Sequence, residues 1–155
     1  MELNPGDKAP KFRLATDGGG DVSSAALKGN PYVLYFYPKD DTTGCTKEAI
    51  AFSDHAKKFA ALGITVIGVS KDSTASHDRF KAKYKLKIAL ASDPEIQTAS
   101  DYGVWVEKSM YGRKYMGMER TTFLVDAKGI IKNVWRKVKV AGHVEEVLAA
   151  AKTLA

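Results

Sequence analysis

The sequence predicts an α/β fold: a mixed central β-sheet flanked by helices, with a β-hairpin near the amino-terminal end. Three observations predict it. The run Tyr32–Tyr37 is continuously apolar, aromatic and β-branched, so it reads as a central strand buried on both faces. The segment that follows changes to a helical period, with Ala49, Phe52, Ala56, Phe59 and Ala60 spaced to share one face. Strand–helix–strand units come first, and a hairpin plus a helix close the chain.

The elements can be justified in order. Phe12–Ala15 and Gly20–Ser23 flank Thr16-Asp17-Gly18-Gly19, a small hairpin with glycine-rich turn chemistry. After the central strand, Pro38 stops extension, and a helix is expected from about Thr43 to Leu62, ended by Gly63. Ile64–Val69 is a second buried strand. Ser73 or Thr74 caps a helix that runs to about Tyr84 with Phe80 inward. Ile88–Leu90 is a short third strand. Asp93-Pro94-Glu95 should open a short helix, with Asp at the N-cap and Pro at the first position. Residues 103–119 read as an extended loop or loose hairpin. Thr121–Val125 and Ile130–Trp135 are strands joined by the compact turn Asp126–Gly129, and a helix from about Gly142 to Leu154 puts Val144, Val147, Leu148 and Ala151 on one face. This order is compatible with a thioredoxin-like core, although periodicity does not separate that from other small α/β sandwiches.

Composition narrows the function. The 155 residues are one domain's worth, and 45% hydrophobic with 27% charged residues excludes disordered and collagen-like chains. The longest apolar run is Tyr32–Tyr37, far short of the roughly 20 residues that a membrane-spanning helix needs. The start MELNPGDKAP lacks a basic segment followed by an apolar core, so no secretory signal is expected. The single cysteine, Cys45, can form neither an internal disulfide nor a cysteine-only zinc site, and it fits a reducing compartment, the cytoplasm. Net charge is +6. The basic residues are spread out, and the densest group, Lys128, Lys132, Arg136, Lys137 and Lys139, suits a solvated strand pair. No motif for nucleic acid accompanies it. His55, His77 and His143 have no metal-ligand spacing and receive no role.

The chemistry concentrates between Pro38 and Glu48, where the buried strand passes into the long helix. In open α/β sheets, sites lie beyond the carboxyl ends of strands. Cys45 falls in the first helical turn, where free backbone N–H groups and the helix dipole favour an anion such as a thiolate. An ordinary thiol is only about 3% ionised at pH 7. Making one roughly 90% ionised takes about 3.4 kcal/mol of preferential stabilisation. A helix end supplies at most about 2 kcal/mol. Thr42, Thr43 and Thr46 are close by, but no arginine is, so a cation must come from elsewhere in the chain. The alternative is that Cys45 is a small buried apolar residue.

Pro38, Thr42 and Cys45 make the pattern Pro-x-x-x-Thr-x-x-Cys, which resembles the peroxiredoxin active site. The context YFYPKDDTTGCTKEA is similar to the bacterioferritin comigratory protein, or PrxQ, branch. The likeness runs over almost the whole chain, from Gly6–Phe12 through Val66–Ser70 and Tyr102–Trp105 to Tyr115–Asp126. It implies a single thioredoxin-like domain over residues 1–155. It also implies a thiol-dependent peroxidase that reduces hydrogen peroxide and organic hydroperoxides through a Cys45 sulfenic acid, with neither metal nor organic cofactor. By the same resemblance, Arg120 is the active-site cation, Thr42 positions the peroxide, and Pro38 shields the thiolate. Glu48 would orient an arginine, Trp105 would pack beside the pocket, and N–H groups near Gly44 and Cys45 would face the reacting oxygens. Many relatives carry a resolving cysteine five positions after the first, where this chain has Ile50, or on the following helix, where it has residues such as Phe80, Lys83 and Tyr84. The expected cycle therefore needs an external thiol: thioredoxin, glutaredoxin or glutathione, or a Cys45–Cys45 disulfide between two chains. Relatives of this branch imply a monomer, with a weak dimer as the alternative. The competing function is a non-catalytic redox sensor or binding module on the same fold.

Overall fold

The strand Tyr32–Phe36 (β3) is the centre of the molecule, and every one of its five residues is buried. The computed structural model describes residues 2–154. Six further strands join β3 in one sheet: β1 (Arg13–Thr16), β2 (Asp21–Ser23), β4 (Thr65–Ser70), β5 (Ala89–Ser92), β8 (Thr121–Val125) and β9 (Ile131–Trp135). Their order is β2-β1-β5-β4-β3-β8-β9. β3, β4 and β5 are parallel, whereas β1, β8 and β9 run antiparallel to their neighbours, so the sheet is mixed as predicted. β3 alternates between two apolar layers. Val33 and Tyr35 join Phe52, Phe59, Val144 and Val147 on one face, and Leu34 and Phe36 join Tyr102 and Phe123 on the other. Burial on both faces explains why the strand reads as a continuous apolar run.

The long predicted helix is two helices, α1 (Thr43–Asp54) and α2 (Ala56–Ala61). His55 breaks it with φ −100° and ψ 6°, and its ring Nδ1–H donates to the Ala51 carbonyl at 2.9 Å. A side chain competing for a helical carbonyl is a recognised cause of a kink. The apolar face continues across the break, with the Phe52 and Phe59 rings 6.1 Å apart. α3 (Thr74–Tyr84) starts at Ser73, whose hydroxyl accepts the Ser76 N–H. The short helix α4 (Gln97–Asp101) begins later than Asp93-Pro94-Glu95 predicts. Asp93 still serves that end, accepting the N–H groups of Thr98 and Ala99 at 3.3 and 2.8 Å, while Ile96 takes a left-handed conformation to connect them. Gly142, at φ 74°, precedes α5 (His143–Lys152), which buries Val144, Val147, Leu148 and Ala151 as expected.

Of the extended loop and the loose hairpin that the sequence allows for residues 103–119, the hairpin is present, and it is regular over residues 105–118. β6 (Trp105–Met110) pairs antiparallel with β7 (Arg113–Met118) through six residue pairs. Tyr111 and Gly112 turn the corner with φ of 52° and 77°. Two successive positive φ values match the right-handed twist of a tight hairpin. No helix among the described residues is long and apolar enough to cross a membrane.

Candidate active site

The carboxyl end of β3 delivers the chain through Tyr37 and the half-buried Pro38 into a loop that ends at Thr42, the residue before α1. The Thr42 hydroxyl donates to the Lys39 carbonyl at 2.8 Å, which leaves its oxygen free to accept. Thr43, Gly44 and Cys45 are the first three helical residues, so their N–H groups have no carbonyl one turn back to bond. The Cys45 side chain is therefore held where backbone donors and the helix dipole gather. It is almost wholly buried, at 1% exposure.

The missing cation arrives from the far side of the sequence. Arg120 stands immediately before β8, and β8 lies beside β3. Its Nη2 donates to Cys45 Sγ at 3.3 Å and its Nη1 donates to Glu48 Oε1 at 2.7 Å. Cys45 and Glu48 are three residues apart on α1 and so share a face. One guanidinium thus bridges a thiol and a carboxylate. Burial pushes the Glu48 carboxyl up to about 7, with Arg120 pulling in the opposite direction. Burial also works against the Arg120 charge, but Glu48 and Cys45 outweigh it and hold the guanidinium more basic than usual. Gly44 makes the approach possible. A Cβ there would stand 3.1 Å from Arg120 Nη2. Gly44→Ala should therefore leave α1 as stable or slightly more stable, because alanine favours helices. It should also slow Cys45 oxidation by about tenfold through displacement of the guanidinium, since small misplacements of reacting groups are costly. Thermal melts and stopped-flow rates on one preparation check both halves.

A family model, the AhpC/TSA family, matches residues 5–134. The chain belongs to this family, as a peroxiredoxin of the Bcp type. It is 46% identical over 154 residues to peroxiredoxin Bcp of Bacillus subtilis, covering 99% of this chain and 98% of the other. A cysteine-to-serine mutant of Xylella fastidiosa PrxQ superposes with a TM-score of 0.93 at 37% identity, covering 99% and 98% of the two chains. The bacterioferritin comigratory protein of Xanthomonas campestris, which has alkyl peroxide reduction activity, superposes with a TM-score of 0.88 at 42% identity, covering 92% and 90%. The thioredoxin-like fold is thereby confirmed.

Of the residues that the sequence singles out, this peroxiredoxin brings Cys45, Arg120, Glu48 and Gly44 into direct proximity, with Thr42 and Pro38 in the loop that leads to them. Trp105 packs against the layer that contains Leu34, Phe36 and Tyr102, under the Lys71 ammonium at 5.9 Å. Ile50 packs against the core.

Three features escape the sequence. The Tyr35 hydroxyl is buried without a hydrogen-bond partner among the described residues, as is Glu48 Oε2. It lies over Gly68, where a Cβ would come within 2.7 Å of it, and burial, with the Glu48 and Cys45 charges adding to it, disfavours its ionisation. Second, the active-site loop is clamped to α3. Asp40 accepts from Tyr37 Oη at 2.6 Å, Ser76 Oγ at 2.8 Å and His77 Nδ1 at 2.7 Å. His77 Nε2 donates to the Ala91 carbonyl at 2.8 Å. Both ring nitrogens face acceptors, so the ring is an imidazolium paired with Asp40. Next door, Asp41 accepts from Lys83 Nζ at 2.7 Å and from the Tyr84 hydroxyl. Third, Lys108 on β6 reaches the Met118 carbonyl. Burial and the Arg120 charge beside it make its ammonium less basic, while the Glu119 and Cys45 charges act the other way.

Proposed function

We propose that this peroxiredoxin reduces hydrogen peroxide and organic hydroperoxides with Cys45 as nucleophile. The single observation carrying this is the 3.3 Å contact between Arg120 Nη2 and Cys45 Sγ at the start of a helix. The thiolate attacks one peroxide oxygen along the O–O axis, a new S–O bond forms, and the O–O bond breaks. The departing oxygen leaves with the electron pair and takes a proton to become water or an alcohol. Arg120 and the first-turn N–H groups are placed to stabilise the charge that builds on the oxygens. The Thr42 hydroxyl, with its own proton committed to Lys39, accepts the hydrogen of the peroxide and orients it. Pro38 walls the loop against water. Glu48 holds Arg120 in place. Cys45 becomes a sulfenic acid.

The 155 residues contain no second thiol, so regeneration falls to an external one through a mixed disulfide. The reading extends to a single domain acting as a monomer in the cytoplasm, of which the lone cysteine supports only the reducing compartment.

Stopped-flow oxidation by hydrogen peroxide, with Cys45→Ser as the blank, tests the reading. Oxidation at pH 7 should outrun that of a free thiol on the order of a thousandfold or more. Sustained peroxide consumption with a thiol donor separates an enzyme from a redox sensor, which would stop after one equivalent. An oxidation rate equal to that of free cysteine would leave the fold without the chemistry. Mass spectrometry after one equivalent of peroxide should show oxygen added at Cys45 and no internal loss of hydrogen.

A further inference from the structure

The large hydrophobic side chains exposed among the described residues are Met110, Tyr111, Tyr115 and Met116, with exposures of 56, 99, 43 and 50%. All four belong to the β6–β7 hairpin, whose strands pair only with each other. Exposed apolar clusters of this kind mark interaction sites. The cross-strand register puts Val106, Lys108, Met110, Arg113 and Tyr115 on one face. That face borders a cavity of about 460 Å³ whose opposite walls include Arg120, Lys137 and Val138. The cavity wall is anchored to the active site, because the Val138 N–H bonds the Arg120 carbonyl at 3.0 Å. The apolar tip and the catalytic arginine thus lie at two ends of one surface.

We infer that this hairpin face is the docking surface for a protein dithiol, acid-rimmed and apolar at its centre, that regenerates Cys45. The inference rests on the peroxidase reading and names where its reductant binds. Two observations select this occupant. The surface extends roughly 20 Å from the tip to Arg120, too long for a tripeptide thiol to span. Its charge is basic on balance: Lys108, Arg120 and Lys137 line the cavity against Glu107 and Glu119, Glu107 is already shared with Lys114 at 3.8 Å, and Arg113 adds a positive charge on the same hairpin face nearer the tip. A second copy of a chain with net charge +6 would oppose basic patch to basic patch. The chemistry balances. One partner thiol condenses with the Cys45 sulfenic acid, forming an S–S bond and releasing water. The second partner thiol then attacks its own neighbour's sulfur, which releases the Cys45 thiol and leaves the partner as an internal disulfide.

The test compares the wild type with a Met110→Thr/Tyr111→Asn variant, changes that suit a strand and a positive-φ turn. Thioredoxin, kept reduced by its NADPH-dependent reductase, is the protein dithiol, and dithiothreitol is the small one. The variant should lose about tenfold or more in kcat/KM for thioredoxin, since buried aromatic and Met anchors carry interface energy. Its rate of Cys45 oxidation by hydrogen peroxide and its turnover with dithiothreitol should stay within about twofold, as neither depends on protein docking. Met116→Thr, on the opposite face, should also stay within about twofold for thioredoxin. Added salt should slow the thioredoxin reaction and leave peroxide oxidation unchanged. An unchanged thioredoxin kcat/KM in the double variant overturns the docking surface alone. So does a wild-type dimer that the double variant makes monomeric, because the hairpin is then covered by a second copy. A wild type whose Cys45 is not oxidised by peroxide overturns the peroxidase reading and this inference with it.

Discussion

Arg120→Met should slow the oxidation of Cys45 by hydrogen peroxide about 10²–10³-fold at pH 7, the range seen when one preorganised donor to a developing charge is removed. The guanidinium touches the sulfur at 3.3 Å and is itself fixed by Glu48 at 2.7 Å, so it needs no rearrangement at the moment of reaction. Arg120→Lys should recover little. One ammonium cannot serve the sulfur and the carboxylate with the two-pronged geometry of the fork. Single-turnover stopped-flow measures both variants, and a loss of less than about tenfold for Arg120→Met would remove Arg120 from the chemistry.

The same substitution has a pH signature. The Glu48 carboxyl in the folded protein titrates near 7, above its ordinary value of 4.5. The folded state therefore binds the proton more tightly than the unfolded chain. The stability that Glu48 contributes is fully present below pH 4.5 and declines as pH rises through 7. Without Arg120 to oppose burial, the carboxyl moves further up. The decline in stability of Arg120→Met should then continue to higher pH than in the wild type, as urea unfolding at pH 6, 7 and 8 would reveal.

Asp40→Ala should cost about 3–5 kcal/mol of stability, the penalty for breaking a buried ion pair from one side. It would strand the His77 imidazolium, which is fully buried, and leave the Tyr37 and Ser76 hydroxyls without their acceptor. The two partners set the window. His77 is opposed by burial, but Asp40 outweighs it and raises its basicity above the ordinary 6.5. That part of the stability is complete below pH 6.5 and is lost as pH rises through the folded value. For Asp40, burial is outweighed by His77 and Tyr37, so its carboxyl titrates below the ordinary 3.8. Its part is complete above pH 3.8 and is lost on further acidification. The gap between wild type and Asp40→Ala should be widest between those limits and narrower at pH 9. Urea denaturation at pH 5.5 and 9 tests this. A gap under about 1 kcal/mol at pH 5.5 would mean that the pair contributes no more than an exposed one.

What the sequence disclosed depended on range. β3 was legible because burial on both faces writes an unbroken apolar run into adjacent residues. The need for a distant cation was legible from the local shortage of one around Cys45. That the cation is Arg120 came from resemblance to the peroxiredoxin pattern, since 75 residues separate it from the sulfur it meets. The Asp40–His77 pair was not legible, because 37 residues separate its members and their roles emerge only when the loop, α3 and β5 converge. The hairpin was also obscured. Both of its faces are exposed toward the tip, so β6 and β7 lack the alternation that one-sided burial imposes. The break at His55 left no trace in the apolar period, which runs on through α2 because Phe59 remains in the core.

The placement of β3 between β4 and β8 has a consequence for amide hydrogen exchange. Its backbone groups are paired on both edges, so the amides of Val33–Phe36 should exchange only when the whole molecule unfolds. The β6–β7 ribbon has no third strand among the described residues and should exchange through small local openings. Cys45 sits on α1, beyond the loop that leaves the protected β3, while Lys108, which feels the Cys45 charge, is carried by the ribbon. Exchange slowing confined to the ribbon on addition of a reductant would report contact there while the sulfur's own support stays still.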